Sequence, residues 1–146
     1  MNLIDNKNEI YYIYVLENRD SNKSYVGCTN NLDRRLKQHN KILSGGAKYT
    51  TSLNGGWNFI FYISGFPDKY DALSAEWKMK NIQRLNKYRG VKGRLESLIE
   101  FTYLNRWTSK CLIDNYDLIY QISIQSKYYD LIKDKLNSNF IIDIIN

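Results

Sequence analysis

Five side chains in the first 80 residues of this chain carry groups that work on phosphate esters. They are the phenols of Tyr14 and Tyr25, the guanidinium of Arg35, the imidazole of His39 and the carboxylate of Glu76. Hydrolysis of a phosphodiester needs an activated water, a fixed cation against the developing charge and donors that recognise phosphate oxygens. All of these are present in type. Arg35 and His39 are four positions apart, one helical turn, so a helix would show both on one face. Each residue also has an ordinary reading: tyrosines on strands are common core and edge residues, a lone Glu on a helix is solvated, and a lone surface His bonds a neighbour. The weight lies in their conjunction, in this order and at these separations.

Such groups need rigid elements behind them. Ile10 to Leu16 is apolar and β-prone, and Ser24 to Thr29 resumes that character after the polar string from Asn18 to Lys23, which reads as a hairpin. Asn30 or Asn31 caps a helix running to about Lys41, and the Gly45-Gly46 pair opens a loop. Trp57 to Ile63 favours strand, Gly65-Phe66-Pro67 breaks it, and Asp68 or Asp71 starts a second helix that contains Glu76. Gly90 and Gly93 bracket a break before a third helix, whose apolar period through Leu95, Leu98 and Phe101 should pack on the sheet. Beyond Lys110, Leu118 to Ile124, Tyr128 to Leu136 and Phe140 to Ile145 read as strand, helix and short apolar tail. Trp57, Trp77 and Trp107 read as core, although an aromatic near a cut strand can stack on an unpaired base.

Charge narrows the partners. The net charge is +6, but residues 1–110 hold 18 basic and 10 acidic side chains (+8) and residues 111–146 hold 3 and 5 (−2). Lys78, Lys80, Arg84, Lys87, Arg89, Lys92 and Arg94 follow one another without an intervening acid, either a track for a phosphate backbone or a solvated helical face. Two cysteines and a single His exclude a zinc finger or disulfide framework. Met1 to Glu9 has neither the apolar run of a signal peptide nor a span of the roughly 20 apolar residues of a membrane helix. The expectation is an intracellular protein with no membrane contact.

Tyr12-Ile13-Tyr14 followed by Tyr25-Val26-Gly27, then Arg35, His39 and Glu76, resembles the GIY-YIG nucleases, with Tyr12 in place of the first glycine of the motif. The resemblance implies an α+β domain over residues 8–108, a central three-stranded, mainly antiparallel sheet flanked by helices, and a carboxy-terminal extension over 109–146 of unknown role. It implies a DNA endonuclease in which Glu76 binds Mg²⁺ or Mn²⁺ and Arg35 holds the scissile phosphate. Tyr14 would then be general base, its pKa lowered by metal and Arg35, with Tyr25 orienting water or phosphate and His39 relaying the proton or holding phosphate. Ser64-Gly65-Phe66-Pro67, Ala72-Leu73, Glu76-Trp77 and the Gly45 to Ser52 loop look like one branch, the catalytic subunit of eukaryotic structure-specific endonucleases that cut flaps, forks and Holliday junctions. That branch adds a RING-like zinc finger for a scaffold partner, and its ligands have no counterpart after Cys111, so no scaffold partner is carried over. A non-catalytic DNA-binding module on the same scaffold, or a homing or restriction-type nuclease, are the alternatives.

Overall fold

The structure, a computed structural model, describes residues 9–145. Most of the segment read as lacking a leader, Met1 to Asn8, lies outside the described residues. Strands β1 (Tyr12–Asn18) and β2 (Ser24–Thr29) form the expected antiparallel hairpin. Its turn is tied by short polar side chains, Asp20 N donating to Asn18 Oδ1 at 3.0 Å and Lys23 N to Ser21 Oγ at 3.2 Å. Along β1 the side chains alternate, so Ile13 and Val15 enter one buried cluster and Tyr14 and Leu16 another.

Helix α1 (Leu32–His39) starts at Asn31, whose side chain accepts from Arg34 N at 3.0 Å. The Gly45 to Ser52 segment is not wholly loop: Lys48–Thr51 makes one helical turn, α2. After β3 (Trp57–Ser64), Asp68 caps α3 (Lys69–Asn86) by accepting from Asp71 N at 2.8 Å. Lys87, at φ 56°, closes α3, and α4 (Gly90–Thr102) follows. The expected break at Gly90 and Gly93 therefore falls earlier, at residues 87–89, and both glycines lie in the first turns of α4. Gly93 is needed for packing, since a Cβ there would stand 2.7 Å from the Tyr88 carbonyl carbon.

A 3-10 turn (Asn115–Asp117) leads to β4 (Tyr120–Gln125), α5 (Ser126–Ile132) and β5 (Phe140–Ile145). The sheet has five strands in the order β2-β1-β3-β4-β5, where three were expected. The α+β class holds; the two additional strands come from the apolar segments beyond Lys110. β4 pairs antiparallel with β3, setting Ile124 opposite Phe61 and Ile122 opposite Ile63. The expected apolar tail becomes β5 because α5 supplies a crossover long enough for a parallel return beside β4.

Helices cover both faces. On one, Ala75, Met79 and Ile82 of α3, Leu95, Leu98 and Phe101 of α4 and Ile132 of α5 pack on Ile13, Val15, Phe61, Ile63 and Ile122. Each fully buried side chain of this kind stabilises the fold by roughly 1.5–3 kcal/mol. On the other, Leu32 and Leu36 of α1 and Leu53 pack on Tyr14, Leu16 and Trp57. Glu17 accepts from Gln125 Nε2 and from Tyr128 Oη, each at 2.7 Å, and so fastens the carboxy-terminal segment to β1. No helix among the described residues is long and apolar enough to cross a membrane.

Candidate active site

β1 is an inner strand, and its pleat turns Tyr14 toward α1, where the side chain is fully buried. The residue opposite it on β2 is Gly27. A Cβ at position 27 would overlap Tyr14 Oη and Cζ and stand 2.9 Å from Cε1, so the glycine makes the slot in which the phenol lies. Phe59 closes the slot edge-on, its ring centre 6.0 Å from that of Tyr14. Tyr12, where the family motif has glycine, packs its ring edge-on against Tyr62 at 5.9 Å.

Tyr14 Oη lies 2.7 Å from His39 Nε2, and His39 Nδ1 lies 2.6 Å from Thr50 Oγ1. The direction of these bonds follows from proton counting. Thr50 has one hydroxyl hydrogen, directed at the Ala47 carbonyl at 3.0 Å. It must then accept from His39 Nδ1–H, which leaves Nε2 as the acceptor of the Tyr14 proton. His39 is fully buried rather than at the helix surface, and burial, with a smaller contribution from Arg35, pushes its pKa down to about 4. It is neutral at physiological pH, as this assignment requires. Burial also pushes the Tyr14 phenol well above its usual pKa of 10.0; Arg35 pulls it down, but by less. Arg35 alone does not lower the phenol pKa, because desolvation outweighs one neighbouring cation.

Arg35 donates from Nε to Tyr14 Oη at 3.2 Å and from Nη1 to Gln38 Oε1 at 3.0 Å and the Gly45 carbonyl at 2.9 Å. The fork is held rigid, half-buried over the phenol. Tyr25 stands beside His39, their ring centres 4.9 Å apart, and stacks on its outer side against Tyr49 at 6.3 Å. Glu76 lies near the same centre on α3: burial chiefly raises both Tyr14 and Cys28, and the Glu76 charge adds to it. Its carboxylate is paired with Lys80 at 3.0 Å, and Lys80 Nζ lies 5.9 Å from the centre of the Tyr25 ring.

The fold thus gathers Tyr14, Tyr25, Arg35, His39 and Glu76. It divides the basic run. Lys80, Arg84, Arg89 and Arg94 share a groove with Ser24 and Tyr25. Lys78 instead faces a hollow between Trp77 and Trp107, and Lys92 one between α4 and α5. Lys87 is exposed at the α3 end. Trp57 and Trp107 are core as expected, but Trp77 is 55% exposed, because it follows Glu76 on the outer face of α3. Thr50, Gln38 and the Gly45 carbonyl escaped the sequence reading, since a threonine and a glutamine in polar context carry no signature until the fold brings them to an imidazole and a guanidinium.

No group of three or more His, Cys, Asp or Glu able to hold a metal occurs among the described residues. The donor set still suits a hard divalent cation, which takes one carboxylate and completes its shell with water and substrate phosphate. Glu76, with 18% of its side chain exposed, offers such a carboxylate at the edge of the site.

Residues 10–89 match the GIY-YIG catalytic domain, more than half of the chain, and the chain belongs to that family. Its relatives include the structure-specific endonuclease subunit SLX1 of Rattus norvegicus, 34% identical over 94 residues, which are 64% of this chain and 35% of the relative. The structure-specific endonuclease subunit SLX1 homolog of Drosophila mojavensis is 32% identical over 114 residues, 73% of this chain and 38% of the relative. The subunit of Phaeosphaeria nodorum is 41% identical over 73 residues, 49% and 20%. The chain spans well under half the length of these curated relatives.

Proposed function

We propose that this chain is a metal-dependent DNA endonuclease that hydrolyses phosphodiester bonds in branched DNA, at flaps, forks or junctions. The observation that carries the reading is the buried line from Tyr14 through His39 to Thr50, with Arg35 on the same phenol oxygen. A phenol that hydrogen-bonds a neutral imidazole inside a protein is an expensive arrangement for packing alone and a suitable one for moving a proton. The family supports the class of reaction, and the names of the relatives support branched DNA as substrate.

In the proposed reaction Tyr14 Oη takes a proton from the attacking water while its own proton passes to His39 Nε2. Burial disfavours a phenolate in the resting site, so a relay in which the phenol is neutral before and after suits Tyr14 better than a pre-formed phenolate, at the cost of an imidazolium that burial also disfavours. The positive charge gained by His39 faces the Thr50 hydroxyl, itself polarised by the Ala47 carbonyl. Arg35, fixed by Gln38 and Gly45, stabilises charge on the phosphate oxygens. Tyr25 flanks His39 and shields it from solvent. A divalent cation bound at Glu76, Mg²⁺ or Mn²⁺, would supply Lewis-acid neutralisation of the phosphate and favour loss of the water proton.

The test is cleavage of labelled 5′-flap, Holliday-junction and linear duplex DNA with Mg²⁺ by the wild type, Glu76→Ala and Arg35→Ala. Metal-dependent cutting of the branched substrates, abolished in both variants, is expected. Cutting of linear duplex at one fixed sequence would favour a homing or restriction-type enzyme instead, and intact DNA binding with no cutting a non-catalytic module.

A further inference from the structure

We propose that the groove between β2 and the α3–α4 corner is a subsite for one backbone phosphate of the strand being cut, with Arg94 as its anchor. This rests on the nuclease reading above and goes beyond it by assigning a specific second phosphate contact. The groove has a volume of about 330 Å³, and its lining includes four cations, Lys80, Arg84, Arg89 and Arg94, and no acid. Tyr25 forms part of its wall and stands 4.9 Å, ring to ring, from His39, so the groove lies beside the catalytic centre, with Tyr25 between them. A phosphate held there belongs to a linkage close to the scissile one.

Arg94 is the unusual member. Its Nε donates to Ser24 Oγ at 2.8 Å, and no carboxylate lies within ion-pair distance of it among the described residues. Among the described residues the Arg84 side chain bonds the Asn81 amide, and Lys80 pairs with Glu76. Desolvation pulls the Arg94 guanidinium down to about 10, so the fold holds this half-buried cation with no carboxylate paired to it among the described residues. A neutral hydroxyl does not offset that cost, whereas a phosphodiester does, and the planar fork can meet two of its oxygens at once. The competing explanation is mechanical: Arg94 bolts the hairpin to α4 through Ser24 and contacts nothing else.

A set of 5′-flap substrates, each with one methylphosphonate linkage near the branch, separates the two. Binding is measured in EDTA, so that chemistry plays no part. The wild type should lose about tenfold in affinity when one particular linkage is neutralised. Arg94→Gln should bind native DNA with a similar deficit and no longer respond to that linkage, while Ser24→Ala should keep the wild-type response. If Arg94→Gln retains the response, or if Arg94→Gln and Ser24→Ala merely share a lowered Tm with unchanged profiles, Arg94 is a bolt and the proposal fails. A wild type that binds and responds but never cuts would sink the nuclease reading and leave the subsite standing; one that binds no DNA would overturn both.

Discussion

Tyr14 and Gly27 face each other across the first two strands, and the phenol occupies the space a side chain at position 27 would need. The glycine of the second motif tripeptide is thus the complement of the tyrosine of the first. Gly27→Ala should push the ring off His39 and Arg35, costing about 1–3 kcal/mol of stability from overpacking. Single-turnover cutting should fall by roughly 100-fold or more, since a misplacement of about 1 Å is enough for that. A folded Gly27→Ala protein, by urea titration, that cuts at the wild-type rate would show that the position of the Tyr14 oxygen does not matter.

Thr50 fixes which nitrogen of His39 carries the hydrogen. Thr50→Val keeps the shape but removes the acceptor, leaving Nδ1–H buried and unpaired, which should cost about 1–3 kcal/mol. It also frees the other tautomer, which cannot accept from Tyr14, so kcat should drop by about tenfold or more with KM little changed. Thr50→Ser should restore both. A Ser variant as impaired as Val would place the effect in packing and not in the hydroxyl.

The folded protein holds His39 neutral down to about pH 4, while an unfolded chain protonates it near 6.5. Between these values the unfolded chain binds more protons, so stability rises with pH across the window. The contribution is complete above 6.5 and lost as the pH falls toward 4, about 3 kcal/mol in all. In urea melts from pH 7.5 to 4.5 the stability of the wild type should fall relative to that of His39→Gln by most of this amount. Parallel curves would mean that His39 titrates normally.

The family match ends at residue 89, but the sheet does not. Tyr120, Ile122, Ile124 and Phe140 are all core, and β4 supplies the partner for one edge of β3. A chain truncated after residue 108 would bare that edge and much of the apolar cluster. Circular dichroism should find it unfolded or aggregated. A cooperatively folding, active 1–108 fragment would assign the rest of the chain a role other than support.

Where the sequence was legible, the signal was local. The hairpin, the Asn31 and Asp68 caps and the alternation in β3 are short-range patterns, and the chemistry-bearing residues carried a recognisable order. What stayed hidden depended on distance along the chain. Nothing near Phe140 announces that Ile141 will lie beside Gln121, and nothing near Thr50 says that its hydroxyl meets His39. The basic run looked continuous because it is so in sequence; α3 and α4 then turn Lys78 and Lys92 away from Arg84 and Arg94.

The three tryptophans divide in a way that makes the molecule optically addressable. Trp57 and Trp107 are buried at 3% and 1% exposure, and Trp77 alone meets solvent, one residue from the carboxylate proposed to hold the metal. Acrylamide will reach a single indole, and that indole sits on the outer face of the helix that carries Glu76. Its emission can follow a cation or a DNA strand arriving there with no label attached and no bond cut.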